Sequence, residues 1–192
     1  MSRLRLFIGL MAAFQMFVAP ASAQQGAGAD KLVFIVRHAE KASETDPDPS
    51  LSEAGKARAA ALAVALRDAA ITDVLVTPRK RTLETAADVI SARQLTAHVV
   101  GFGANTTAHA AAVADAVRAA KGNAVLVVGH SNTVTMIIAA LGGPKLPELC
   151  DPQYAGLYIV HLPAQGAPTL VRAQYGAADP PNAATCAANS MR

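Results

Sequence analysis

Arg37 and His38 directly follow the apolar run Leu32-Val33-Phe34-Ile35-Val36, and a second histidine, His130, directly follows a second run, Ala124–Gly129. A buried strand that stops at such residues puts them on the C-terminal edge of a sheet, where open α/β folds bind their ligands. A guanidinium beside an imidazole on that rigid edge suits an anionic substrate and a histidine that reacts with it. A third segment, Thr77-Pro78-Arg79-Lys80-Arg81-Thr82, clusters three cations where Asp73–Val76 ends and a helix begins. Free N–H groups at a helix start attract anions, and Arg81 adds a forked donor there, whereas Arg79 and Lys80 read as a solvated loop. After His130, the residues Ser131, Asn132 and Thr133 offer further N–H or hydroxyl donors, and Gly129 lets backbone approach closely. Two histidines and two arginines on one edge compose a phosphate pocket. In it a neutral imidazole attacks phosphorus to give phosphohistidine, while Arg37, Arg81, His130 and Ser131 hold the transferring oxygens and water then releases phosphate.

The elements that must position these residues alternate. Strand patterns at Lys31–Arg37, Asp73–Val76, Thr96–Val100 and Ala124–Gly129 are separated by helical patterns from a Ser52 cap to about Ala70, over Arg81–Arg93 and over about Ala108–Ala120. A fourth helix covers about Asn132–Leu141 and stops at Gly142-Gly143-Pro144, and two late strands, Leu157–His161 and Leu170–Tyr175, read as a hairpin. This alternation predicts a three-layer α/β/α sandwich around a mostly parallel sheet. The sequence shows no repeat, linker or second core, so residues 31–192 read as one domain with an irregular C-terminal tail. His98, His109 and His161 fall outside the motifs and read as structural.

The first 23 residues read as a targeting segment. A short basic start with Arg3 and Arg5, an apolar stretch from Leu6 to Val18 broken only by Gln15, and Ala21-Ser22-Ala23 give the pattern of a cleavable signal peptide, cut after Ala23. About 13 apolar residues are too few to span a bilayer, which takes roughly 18–20. The expectation is an exported protein, periplasmic or secreted, with no stable membrane insertion after cleavage and a flexible lead-in over 24–30. Removing Arg3 and Arg5 from 17 basic residues leaves 15 against 14 acids, so the mature chain is close to neutral. With no basic run interleaved with aromatics and no Trp, nucleic acid is not expected as a partner. Cys150 and Cys186 read as one disulfide in an oxidising compartment, closing a loop worth roughly 3.5–4 kcal/mol in the chain-entropy model.

On these residues the chain resembles the histidine phosphatase superfamily, the group related to phosphoglycerate mutase. The family's Arg-His-Gly motif matches Arg37-His38-Ala39, its Leu-Thr-x-x-Gly element matches Leu51-Ser52-Glu53-Ala54-Gly55, and its Ser-Pro-x-x-Arg-Ala-x-x-Thr-Ala stretch matches Thr77–Ala86. Its Gly-His pair matches Gly129-His130. The resemblance implies a phosphoglycerate mutase-like fold, His38 as the phosphorylated residue, and Arg37, Arg81 and His130 as phosphate ligands, with no metal or organic cofactor. The Arg-His-Ala-Glu start, small size and leader resemble the exported branch that includes the lipopolysaccharide-core heptose phosphatases, which implies a small phosphorylated substrate such as a sugar phosphate or envelope phosphomonoester. The chain departs from the family pattern in carrying Glu44 where mutase-like members often have Asn, Ser131 where the acid-phosphatase branch has Asp, and no acid between Asp88 and Asp115. Glu40 and then Glu84 are the candidates for the proton donor. Two rival readings are a phospholigand-binding module that uses the same pocket without turnover, and a metal binder built on His38, His130 and His161; Arg37 and Arg81 oppose the second, since fixed cations repel a metal ion.

Overall fold

A computed structural model describes residues 30–181. Six strands and four helices alternate as β1 (Lys31–Arg37), α1 (Glu53–Ala65), β2 (Asp73–Val76), α2 (Lys80–Arg93), β3 (Ala97–Val99), α3 (Thr106–Ala119), β4 (Ala124–Gly129), α4 (Ser131–Ala140), β5 (Gly156–Leu162) and β6 (Thr169–Gln174). The sheet order is β3-β2-β4-β1-β5-β6. The first four strands run parallel, and β5 and β6 join antiparallel as the expected hairpin. Every residue of β4 is buried, which an unbroken Ala-Val-Leu-Val-Val-Gly run requires when both faces are covered. Alternate side chains divide the core in two. Val33, Ile35, Val125 and Val127 pack with Val113, Val117, Val134 and Ile137 of α3 and α4, whereas Phe34, Val36, Leu126 and Val128 pack with Leu62 of α1 and Val89 of α2. The expected three-layer α/β/α sandwich is therefore observed.

Two local features matter for the site. Helix α1 begins where expected, with Ser52 Oγ accepting from the Gly55 amide at 3.1 Å. It ends at Ala65, five residues short of the sequence expectation. The chain turns there to enter β2, with Ala70 in the left-handed region at φ 47°, and Arg93 Nη2 donates to the carbonyls of Leu66 and Arg67 at 2.7 and 3.0 Å. A helical pattern of Ala and Leu cannot reveal that a distant arginine terminates it. Gly55 shows why the Leu-x-x-x-Gly element needs its glycine: a Cβ there would lie 2.3 Å from the Glu40 carbonyl oxygen, so only a bare backbone lets α1 lie against the segment after β1.

Among the described residues, no helix is long and apolar enough to cross a membrane. The leader and Cys186 lie outside the described residues; Cys150 is buried.

Candidate active site

The parallel register of β1 and β4 pairs Arg37 with Gly129, so His38 and His130 leave the sheet side by side, and the His38 amide donates to the Gly129 carbonyl at 2.9 Å. Their ring centroids are 5.2 Å apart. Both rings line a cavity of about 890 Å³ at the C-terminal edge of the sheet, together with Arg37, Arg81, Ser131 and Thr133. Helix α4 starts immediately after His130, so its first amides open toward this edge and favour an anion.

His38 is 4% exposed. Its Nδ1 lies 2.8 Å from the Ala39 carbonyl, which can only accept, so Nδ1 carries the proton and Nε2 carries the lone pair. Burial, reinforced by the charges of Arg37, His130 and Arg81, lowers its pKa to about 2, against a smaller opposing effect of the Ala39 hydrogen bond. The ring is thus neutral and nucleophilic across the whole physiological range. The ring is fixed from below as well: the Ala39 amide donates to Thr85 Oγ1 at 2.9 Å, and that hydroxyl donates to the Arg81 carbonyl.

His130 is held by Thr77, whose Oγ1 lies 3.0 Å from Nε2. Arg81 Nη2 faces the other nitrogen, Nδ1, at 3.5 Å. Burial first, then Arg81, His109, Arg37 and Arg79, lower the His130 pKa to about 3. A guanidinium only donates, so this pairing leaves the Nδ1 lone pair toward Arg81 and the Nε2 proton on Thr77. Thr77 and Thr82 link their hydroxyls at 3.0 Å, and Thr82 Oγ1 donates to the Arg79 carbonyl at 2.8 Å, which fixes the turn that presents Arg81.

Arg37 is 2% exposed and surrounded by the turn after α4. Its Nη1 donates to the carbonyls of Cys150, Asp151 and Gln153 at 2.9, 2.6 and 3.3 Å, its Nη2 to Asp151 Oδ1 at 3.1 Å and to the Tyr154 hydroxyl at 3.3 Å, and its guanidinium stacks 4.0 Å from the Tyr154 ring centre. Sequence reasoning placed Arg37 at the pocket but not this collar, because no local signal joins residue 37 to residues 150–154. The Nε atoms of Arg37 and of Arg81 are buried donors with no acceptor among the described residues. Burial, with Arg79 close by, also lowers the Arg81 pKa, while Asp48 at 3.9 Å partly offsets this.

The two proton-donor candidates from the sequence are placed elsewhere. Both Glu40 oxygens face Arg58, at 2.7 to 3.0 Å, and Glu84 Oε2 accepts from the Leu51 amide at 2.7 Å; neither carboxylate lines the cavity. Their nearness to the motif in sequence is misleading, since Glu40 points back under α1. His161 pairs with Leu32 at the opposite end of β1 and contacts Asp30, roughly 20 Å of strand away from His38, so the three histidines of the metal-site reading do not converge. His109, read from sequence as structural, is buried in α3 and lines the cavity wall behind Phe102, with Nδ1 on the Gly101 carbonyl at 2.8 Å. Among the described residues, Glu44, Glu148 and Asp151 are the carboxylates that line the cavity.

Residues 33–100 match the model of the histidine phosphatase superfamily, branch 1. Over that stretch, which carries Arg37, His38 and Arg81, the chain is similar to the branch 1 histidine phosphatases. The chain is similar in structure to the protein histidine phosphatase SixA complexed with tungstate, at 22% identity and a TM-score of 0.59, over 74% of this chain and 96% of that one. It is similar also to a mycobacterial glucosyl-3-phosphoglycerate phosphatase, at 16% identity and a TM-score of 0.57, over 78% of this chain and 100% of that one. No curated protein matches its sequence.

Burial of two neutral imidazoles carries a pH prediction for this protein. The unfolded chain protonates them near pH 6.5 and the folded chain only near pH 2–3, so stability is full above about pH 6.5 and falls as pH drops below it. At pH 5 each histidine would weaken the fold by about 2 kcal/mol. The thermal midpoint of the wild-type protein should therefore fall more between pH 7 and pH 5 than that of a His38→Gln/His130→Gln double variant. Equal falls would show that the rings are solvated.

Proposed function

We propose that this protein is a branch 1 histidine phosphatase, which hydrolyses a small phosphomonoester by transferring the phosphoryl group to Nε2 of His38 and then to water. The observation that carries this reading is the His38 ring itself: Nδ1 is committed to the Ala39 carbonyl, and the ring stays neutral among three cationic or polar partners in an open cavity. The first step forms a P–N bond and breaks the P–O ester bond; the second forms a P–O bond to water, breaks the P–N bond and releases phosphate. Phosphate oxygens supply the acceptors that Arg37 Nε and Arg81 Nε lack among the described residues, and the start of α4 adds amides from Ser131. Tungstate, held by the SixA structure, is a tetrahedral oxyanion of the same kind.

The test is phosphate release from an aryl and an alkyl phosphate across pH 4–8, without added metal, with trapping of an acid-labile phosphoenzyme. Release from the aryl substrate with a trapped intermediate supports the reading. Tight phosphate binding by a folded protein with neither release nor intermediate would replace it by a phospholigand-binding module.

The proposal includes export, with a sugar phosphate or envelope phosphomonoester as substrate; it is supported by the basic, then apolar, then Ala-Ser-Ala start of the sequence. It also includes a Cys150–Cys186 bridge, supported by Cys150 being buried and not free. Intact mass of the protein recovered from its native compartment should correspond to a chain beginning at Gln24 and lacking two thiol hydrogens. A chain that keeps Met1–Ala23 would remove the case for cleavage, and two alkylatable thiols would remove the bridge.

A further inference from the structure

We infer that Glu148 is the proton donor to the leaving group, an inference that rests on the phosphomonoesterase reading above. An alkoxide leaves poorly, and a positioned acid is typically worth about 10²–10⁴-fold. Of the three carboxylates that line the cavity, Asp151 is bonded to Arg37 at 3.1 Å, and Glu44 forms an ion pair with Lys41 at 2.5 Å. Both are already engaged as acceptors by a cation of the protein. Glu148 alone among them has neither an ion pair nor a hydrogen bond with the described residues, so its carboxyl is not committed to another group of the protein.

Its position also suits the role. The amide of the next residue, Leu149, donates to the carbonyl of Ser131 at 3.3 Å, which pins the strap after α4 across the start of that helix, beside His130. Glu148 thus lines the same cavity as His38 and His130 and is exposed, so its carboxyl can meet a substrate bound there. The competing groups fail on geometry. His109 Nε2 is sealed from solvent beneath Phe102 without a partner among the described residues, and the Tyr154 hydroxyl is taken up by Arg37 Nη2 outside the cavity lining.

In the first half-reaction the Glu148 proton goes to the ester oxygen as the P–O bond breaks, which yields a neutral alcohol. In the second, the Glu148 carboxylate takes a proton from the attacking water as the P–N bond breaks, which restores both His38 and Glu148. The cycle is balanced with water as the sole co-reactant.

The experiment measures kcat/KM, which reports the phosphorylation step, for alkyl phosphate and a series of aryl phosphates of graded leaving-group basicity. In Glu148→Gln, kcat/KM for the alkyl substrate should fall by about 10²–10⁴ relative to the best aryl substrate, and its dependence on leaving-group basicity should steepen. Glu148→Asp should give an intermediate ratio, and Glu44→Gln should leave the ratio at the wild-type value. An unchanged ratio and slope in a folded Glu148→Gln protein would overturn the assignment. Failure of the wild-type protein to release phosphate from any of these substrates would instead overturn the phosphomonoesterase reading.

Discussion

His38→Gln should reduce kcat for aryl phosphate by about 10⁴-fold or more and abolish the trapped phosphoenzyme, because the variant loses the nucleophile and leaves only binding and electrostatic assistance to water. The substitution is informative because the surrounding groups do not depend on the ring. Arg81 is presented by the Thr77–Thr82 pair, Arg37 by the 150–154 collar, and His130 by Thr77, so phosphate affinity should stay within a few fold. A wild-type rate in the variant would place the nucleophile elsewhere. The pH profile gives a second check. With the His38 pKa lowered to about 2, the neutral form predominates from pH 4 to pH 8, so nucleophile protonation should produce no acid limb in kcat/KM for a good leaving group. A profile that falls below pH 6.5 would mean that the ring is solvated rather than buried against Ala39.

The sequence carries the strands and their edge legibly because burial on both faces leaves an unbroken apolar signature, and β2 and β4 fall within the residues read from pattern alone. Placement of Arg37, His38, Arg81 and His130 at one cavity followed from their positions at strand and helix ends. What the sequence hid is contact between residues far apart in the chain. Arg93 terminating α1, the carbonyl collar around Arg37, and Glu148 brought beside His130 by the Leu149–Ser131 bond all span 18 or more residues, and none leaves a periodic trace. The same blindness explains Glu40 and Glu84. Proximity to the motif suggested chemistry, while their real partners, Arg58 and the Leu51 amide, lie 18 and 33 positions away.

Arg58→Ala should be among the most destabilising substitutions available outside the core. The Arg58 side chain is 4% exposed and ties three segments together: Nε and Nη2 reach both oxygens of Glu40 just after β1, and Nη1 donates to the carbonyls of Tyr175 and Ala177 beyond β6, at 3.1 and 2.9 Å. The Glu40 pairing keeps its pKa above the usual guanidinium value although burial opposes this. Truncation leaves Glu40 and two carbonyls without their donor, and breaking a buried pair by removing one partner costs about 3–5 kcal/mol. For a domain of this size the thermal midpoint should fall on the order of 10 °C. Glu40→Gln keeps the shape and one acceptor, so its cost should be smaller, about 2 kcal/mol. These two variants separate structure from chemistry. If Glu40 is the bolt that the geometry shows, Glu40→Gln melts earlier yet keeps the wild-type ratio of alkyl to aryl hydrolysis below its midpoint. A selective loss of alkyl hydrolysis in Glu40→Gln, with Glu148→Gln unaffected, would return the proton to Glu40 and require the Arg58 pair to open during turnover.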